Sequence, residues 1–240
     1  MNAKRKLRRS LNIRRSNLIS NIFLFLSITF VILVFALILP DSRVASWYMK
    51  ILPSYNTVQY RGATITYPKD MFSKEKLKVF YTVVDSLTDD VNPEYSIGNV
   101  PMNVYVNRMT SLYESHLAGK AVSTSKSIFL KPCTYNGELN DGDLAMILIH
   151  EYVHIVQYTS PSFLRNYEDK IGWNKPESER SENFFSVMSN YSFKSSSEDM
   201  SDSYMFPYLC GNTLFLSPER LEEALGFWNV PREEFCRNFN

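Results

Sequence analysis

The stretch Leu144-Ala-Met-Ile-Leu-Ile-His150-Glu151-Tyr152-Val153-His154-Ile-Val-Gln157-Tyr158 decides how the chain is read. Nine of its side chains are apolar and lie almost all the way round a helix: Leu144, Ala145, Met146, Ile147, Leu148, Ile149, Val153, Ile155 and Val156. A helix of that composition belongs in the middle of a domain. His150 and His154 are four residues apart, about 40° around the helix axis, so both imidazoles can point at one ion. Buried polar groups need partners, and one metal ion serves both rings. Glu151 stands beside them on the same side, placed to hold a water rather than the metal. H-E-x-x-H on a helix is the pattern of zinc-dependent hydrolytic chemistry.

Asp141-Gly142-Asp143 supplies the start of this helix and Ser160-Pro161 its end. Upstream, Val58 to Tyr67 alternates in β-branched and aromatic residues, with Gly62 as a turn, and predicts one or two short strands ending at Pro68. Ser73 caps a helix over 74–91, in which Leu77, Phe80, Val84, Leu87 and Val91 recur at helical spacing. Met102–Asn107 and Ser127–Lys131 (SIFLK) read as strands, and Thr110–Ala118 as a short helix. Downstream, a helix is expected over Ser178–Phe193, a polar loop over Lys194–Asp202 (KSSSEDMSD), a helix from Ser217-Pro218 through Leu225, and a last one from Pro231. The fold class expected is α+β, with a small mixed sheet packed on the buried histidine helix and a helical C-terminal part.

Charge divides the chain. Of 26 Lys and Arg, seven lie in residues 1–16 with no acid among them; the other 19 face all 25 acids, a net charge of −6 downstream. That balance gives no sign of nucleic-acid binding. Residues 18–39 hold no charge and are rich in Ile, Leu, Phe and Val. Their 22 residues would span about 33 Å as a helix, enough for the hydrocarbon core of a bilayer. A cleavable signal peptide is the alternative, but the run exceeds the usual apolar region and no small-residue cleavage site follows. The expected organisation is a basic cytoplasmic arm (1–17), a single transmembrane helix (18–39), a juxtamembrane spacer (40–57) and a catalytic domain (58–240). The positive-inside rule puts that domain outside the cytoplasm. Of the three cysteines, Cys210 and Cys236 are the candidate disulfide; three reduced, partly buried cysteines are the alternative.

A catalytic zinc site needs three protein ligands and one open position. The extended signature with a third histidine would need Gly at position 157 and His at 160, where the chain has Gln157 and Ser160. His116, the one remaining histidine, lies upstream and reads as an ordinary surface residue. A carboxylate from a following helix is therefore expected, among Glu177, Glu179, Glu182 and, further on, Glu198, Asp199 and Asp202.

Here the sequence resembles the gluzincin zinc metallopeptidases, in which a second helix of the form E-x-x-A-[DE]-x-F-A supplies a glutamate. Glu179-Arg180-Ser181-Glu182-Asn183-Phe184-Phe185-Ser186 fits in part, with Glu179 in the ligand place and Glu182 as its rival. His150 to Gln157 also looks like the H-E-x-x-H-x-x-Q helix of short, secreted or membrane-tethered members. The resemblance implies a zincin-like domain, one Zn2+ ion, Glu151 as general base, and a tyrosine donor to the oxyanion, with Tyr191, Tyr204 and Tyr208 as candidates. It implies SIFLK as the edge strand above the cleft, along which a peptide or protein substrate would pair. The competing expectation is a non-catalytic, zinc-binding protein of the same fold that meets an extracytoplasmic partner.

Overall fold

The computed structural model describes residues 20–31, 49–70, 72–106, 118–131, 133–134, 137–138, 140–181, 184, 189, 191–210 and 216–231. Its architecture is α+β: a five-stranded mixed sheet with helices packed against it, and a separate two-stranded ribbon.

Strands β1 (Tyr55–Tyr60) and β2 (Ala63–Pro68) form an antiparallel hairpin. Its two turn residues, Arg61 (φ 46°) and Gly62 (φ 89°), both take positive φ. That is the backbone of the tight turn whose twist matches the flanking strands. Arg61 also bridges to Asp85 and Asp89, at 2.8 and 2.6 Å, and so ties the hairpin to the next helix. β1 begins three residues inside the expected spacer. Helix α1 (Lys74–Asp89) opens on Ser73, whose hydroxyl accepts from the Lys76 amide, and buries Phe80, Val83, Val84 and Leu87.

Strand β3 (Asn103–Val106) lies parallel to β2, and β5 (Ser127–Leu130) parallel to β3. β4 (Gly119–Val122) runs antiparallel to β5, giving the order β1-β2-β3-β5-β4. The expected edge strand SIFLK is thus β5, an interior strand; all four of its residues are buried, and β4 forms the edge. An uninterrupted apolar run is what a strand flanked on both sides and both faces requires. β6 (Cys133–Thr134) and β7 (Gly137–Glu138) make the small ribbon.

Helix α2 (Asp141–Thr159) carries the two histidines and is capped by Asn140, which accepts from the Asp143 amide at 2.8 Å. It sits at the centre, touching α1, β4, β5 and two later helices, α3 (Pro161–Ile171) and α4 (Ser196–Cys210). Pro161 ends α2 and also occupies the first turn of α3, which terminates at Gly172 in the left-handed conformation (φ 92°). Helix α5 (Pro218–Phe227) starts on the Ser217 cap as expected.

Two further expectations give way. Lys194–Asp202 is not a loop but enters α4, and the described part of 178–193 holds short 3-10 turns, Glu177–Glu179 among them, in place of a regular helix. Within the expected span 18–39, residues 20–31 are helical with exposed side chains; no described helix is long and apolar enough to cross a membrane.

Candidate metal centre

The site forms where the middle of α2 meets the first turn of α4. Ser195 starts α4, its hydroxyl accepting from the Glu198 amide at 3.2 Å, and so aims Glu198 at the facing helix. The Glu198 carboxylate then meets both imidazoles. Its Oε2 lies 3.0 Å from His150 Nε2 and 3.2 Å from His154 Nε2, and the two ring nitrogens are 3.2 Å apart. Ligands at zinc distances of about 2.0–2.1 Å in tetrahedral directions stand about 3.3 Å from one another. The observed triangle is within 0.3 Å of that on every edge. Among the described residues this is the group of His, Cys, Asp and Glu side chains whose donor atoms converge closely enough to hold an ion. The side chains are 13%, 8% and 21% exposed, so the cluster is sunk but reachable.

Further groups hold these side chains from behind. His150 turns Nδ1 to Asp202 Oδ1 at 3.0 Å, one helical turn beyond Glu198 on α4. Asp202 Oδ2 in turn accepts from the hydroxyls of Ser189 and Ser192, at 2.5 and 2.8 Å. A carboxylate behind a ligating imidazole fixes its tautomer and raises its basicity. His154 directs Nδ1 to Gln157 Oε1, and Ser197 Oγ stands at the same 3.0 Å from that nitrogen. Burial alone would lower the pKa of His150, but its hydrogen bonds to Asp202 and Glu198 outweigh that and hold it up at about 10. Burial likewise pulls Glu198 upward, and the two histidines overcome it, leaving its carboxyl well below the usual range.

Glu151 lies next to this cluster, buried, with Oε2 accepting from the Ala121 amide of β4 at 2.5 Å. Burial pushes its pKa up, while His150, His154 and the Ala121 amide pull the other way. A carboxyl poised by such opposed effects suits proton transfer. Tyr191 Oη donates to the other oxygen of Glu198, Oε1, at 3.3 Å, and its ring centre is 6.1 Å from that of His150. Burial and the Glu198 charge push its phenol up to about 12, so it keeps its proton.

The other expected site residues fall elsewhere. Glu179 is exposed in a 3-10 turn and is not in the cluster; Glu198, the more distant of the candidates, is. Tyr204 is in the core, donating to Glu223, and Tyr208 stacks on Trp228 at 3.6 Å and donates to Asp90. Asp199 is committed to Arg220, with Nη2 to Oδ2 at 2.8 Å and neither side chain exposed. Glu182, His116, Cys236 and the side chain of Cys210, hence the disulfide, lie outside the described residues. Glu198 and Asp202 are spaced i, i+4 like the histidines they face, and that spacing is the signal in the sequence that marks them.

No family model, curated protein or solved structure matches the chain.

Proposed function

We propose that the chain is a zinc-dependent metallopeptidase with a zincin-like domain, tethered to a membrane through residues 18–39 and acting outside the cytoplasm. His150, His154 and Glu198 are the ligands for one Zn2+ ion, and the near-tetrahedral triangle they form is the test of fit they pass. Bound there, zinc would act as a Lewis acid that makes water a competent nucleophile near neutral pH. Glu151 takes the proton from the attacking water and delivers it to the departing amine. Tyr191 donates its hydroxyl to the developing oxyanion. β4, an edge strand, takes an extended peptide or protein substrate by main-chain pairing.

The observation that carries this reading is the position of Glu151. A buried carboxyl that is no part of the converging triad stands directly beside it, on the strand-facing side of α2. A site for zinc storage or structural support needs no such group. The test compares the full chain in detergent with Glu151→Gln, for zinc content and for cleavage of a peptide library. One zinc in each protein and cleavage by the wild type alone is the expected result. Zinc in both and cleavage by neither favours a zinc-binding protein with an extracytoplasmic partner, and no zinc in either removes the reading.

A further inference from the structure

The amide of Gln157 sits one turn along α2 from His154, and its hydrogen-bond partners fix its orientation. Gln157 Nε2 lies 3.1 Å from the main-chain carbonyl oxygen of Ser197. A carbonyl only accepts, so the amide end facing it must be the NH2 group. The opposite end, Oε1, therefore faces His154 Nδ1 at 3.0 Å. An amide oxygen also only accepts, so Nδ1 carries the hydrogen. In a neutral imidazole the other nitrogen is then bare. That nitrogen, His154 Nε2, is the one in the triad. The Ser197 hydroxyl reinforces the arrangement by donating to the same Gln157 oxygen at 2.5 Å.

We infer that Gln157 is a positioning residue: it reads the main chain of α4 at Ser197 and converts that into the His154 tautomer whose lone pair faces the ion. The inference rests on the proposed metal site for its consequence, though not for its geometry. Gln157 is 3% exposed, and two of the elements it touches carry ligands, His154 on α2 and Glu198 immediately after Ser197 on α4. It thereby also joins the two ligand-bearing helices. Asp202 does the corresponding work for His150 with a charge; Gln157 does it for His154 with a neutral group. The cluster thus gains only one negative charge from its outer partners. For a site with one ligand carboxylate and the adjacent Glu151, limiting that charge preserves the electrophilic character of the ion.

Two variants separate positioning from mere packing. Gln157→Leu fills the space and removes the acceptor. Gln157→Glu keeps an oxygen toward His154 Nδ1–H and gives up the amide donor to Ser197. The readouts are zinc affinity of the metal-stripped full chain in detergent, by competition with a chromophoric chelator, and the tautomer of His154 from two-bond 15N–1H correlations. The expected results are the Nδ1–H form of His154 in the wild type, a zinc affinity weakened roughly 10–100-fold in Gln157→Leu, and an affinity within about threefold of wild type in Gln157→Glu, despite the stability lost with the Ser197 bond. Equal weakening in both variants would assign Gln157 a packing role and overturn the inference. So would an Nε2–H tautomer in the wild type. If the wild type binds no zinc, the metal reading fails, while the tautomer measurement still decides on Gln157.

Discussion

Gly119 of β4 lies so close to Ile147 of α2 that a Cβ added to the glycine would stand 2.3 Å from Ile147 Cγ2. The same atom would meet Glu151 Cγ at 3.2 Å and Leu130 Cδ2 at 3.3 Å. Unstrained carbon contacts are about 3.5–4.0 Å, so the absence of a side chain is what lets the edge strand reach the histidine helix. That approach brings the Ala121 amide to Glu151. Gly119→Ala is expected to destabilise by about 1–3 kcal/mol, the range for overpacking. Gly119→Ala with Ile147→Ala should lose less than the sum of the two single changes, because the second removes the clashing branch. Urea denaturation of the four proteins measures the coupling; strict additivity would mean that the two residues do not meet.

The ligand assignment separates Glu198 from Glu179. Glu198→Ala removes an atom of the triad and should abolish tight zinc binding, whereas Glu179→Ala removes an exposed side chain and should leave affinity unchanged. Asp202→Ala, which strips His150 of its Nδ1 partner, should fall between them with a loss of roughly 10–100-fold. Chelator competition on the metal-stripped chain ranks the three. Retained affinity in Glu198→Ala together with a loss in Glu179→Ala would refute the ordering.

What the sequence conveyed and what it hid have a common cause. α2 was legible because its apolar residues, caps and terminating Pro161 all agree. The β1–β2 turn was legible from Gly62. α4 was not, because beside Met200 and Tyr204 its first two turns bury polar residues: Asp199, Ser201, Asp202 and Ser203 are at most 4% exposed. Their partners are histidines, Arg220 and one another's hydroxyls, so the start of the helix shows no apolar period and has the composition of a loop. Burying polar residues thus removed the apolar period that would have announced the helix and left the i, i+4 spacing of Glu198 and Asp202 to mark it. The edge strand was misplaced for a simpler reason: the short Gly-Lys-Ala-Val of β4 carries little pattern, while the apolar Ser127–Leu130 next to it draws attention.

The Arg220–Asp199 pair is expected to set the stability of the α4–α5 junction. The guanidinium is fully buried and donates through Nε and Nη2 to Asp199, and Nη2 also reaches the Phe184 carbonyl at 3.0 Å. Trp173 Nε1 donates to the same carboxylate at 2.8 Å. Asp199→Ala leaves a buried cation without its counter-charge and should cost about 3–5 kcal/mol. Replacing both partners with apolar residues, Asp199→Leu with Arg220→Met, should cost less than Asp199→Ala alone. Because Asp199 directly follows Glu198, the single variant should also weaken zinc binding although it touches no ligand. Urea midpoints and zinc titration of the same samples test both points; a variant as stable as wild type would show that the pair contributes nothing.

The pH dependence of the metal-stripped protein follows from two oppositely shifted groups of the cluster, His150 and Glu198. His150 has its folded-state pKa raised to about 10 from the ordinary 6.5, because its bonds to Asp202 and Glu198 prevail over burial. A group raised on folding contributes stability that is complete below its unfolded pKa and is lost as pH climbs toward the folded value. That loss should therefore run from about pH 6.5 to pH 10. Glu198 is shifted the other way, burial being overcome by the two histidines, so its contribution is present above the usual 4.5 and disappears as the solution becomes more acidic. Stability of the stripped chain should peak between these limits, near pH 5–6 (approximate), and fall on the alkaline side with a slope of at most about 1.4 kcal/mol per pH unit for one proton. On the proposed zinc reading, the ion would displace the His150 proton, so binding should release protons and strengthen with pH, and excess zinc should remove the alkaline decline. Unfolding by urea at pH 5.5, 7.5 and 9, with chelator and with zinc, provides the comparison. A stripped protein that gains stability from pH 6.5 to 9 would show that His150 is not held protonated by Asp202 and Glu198.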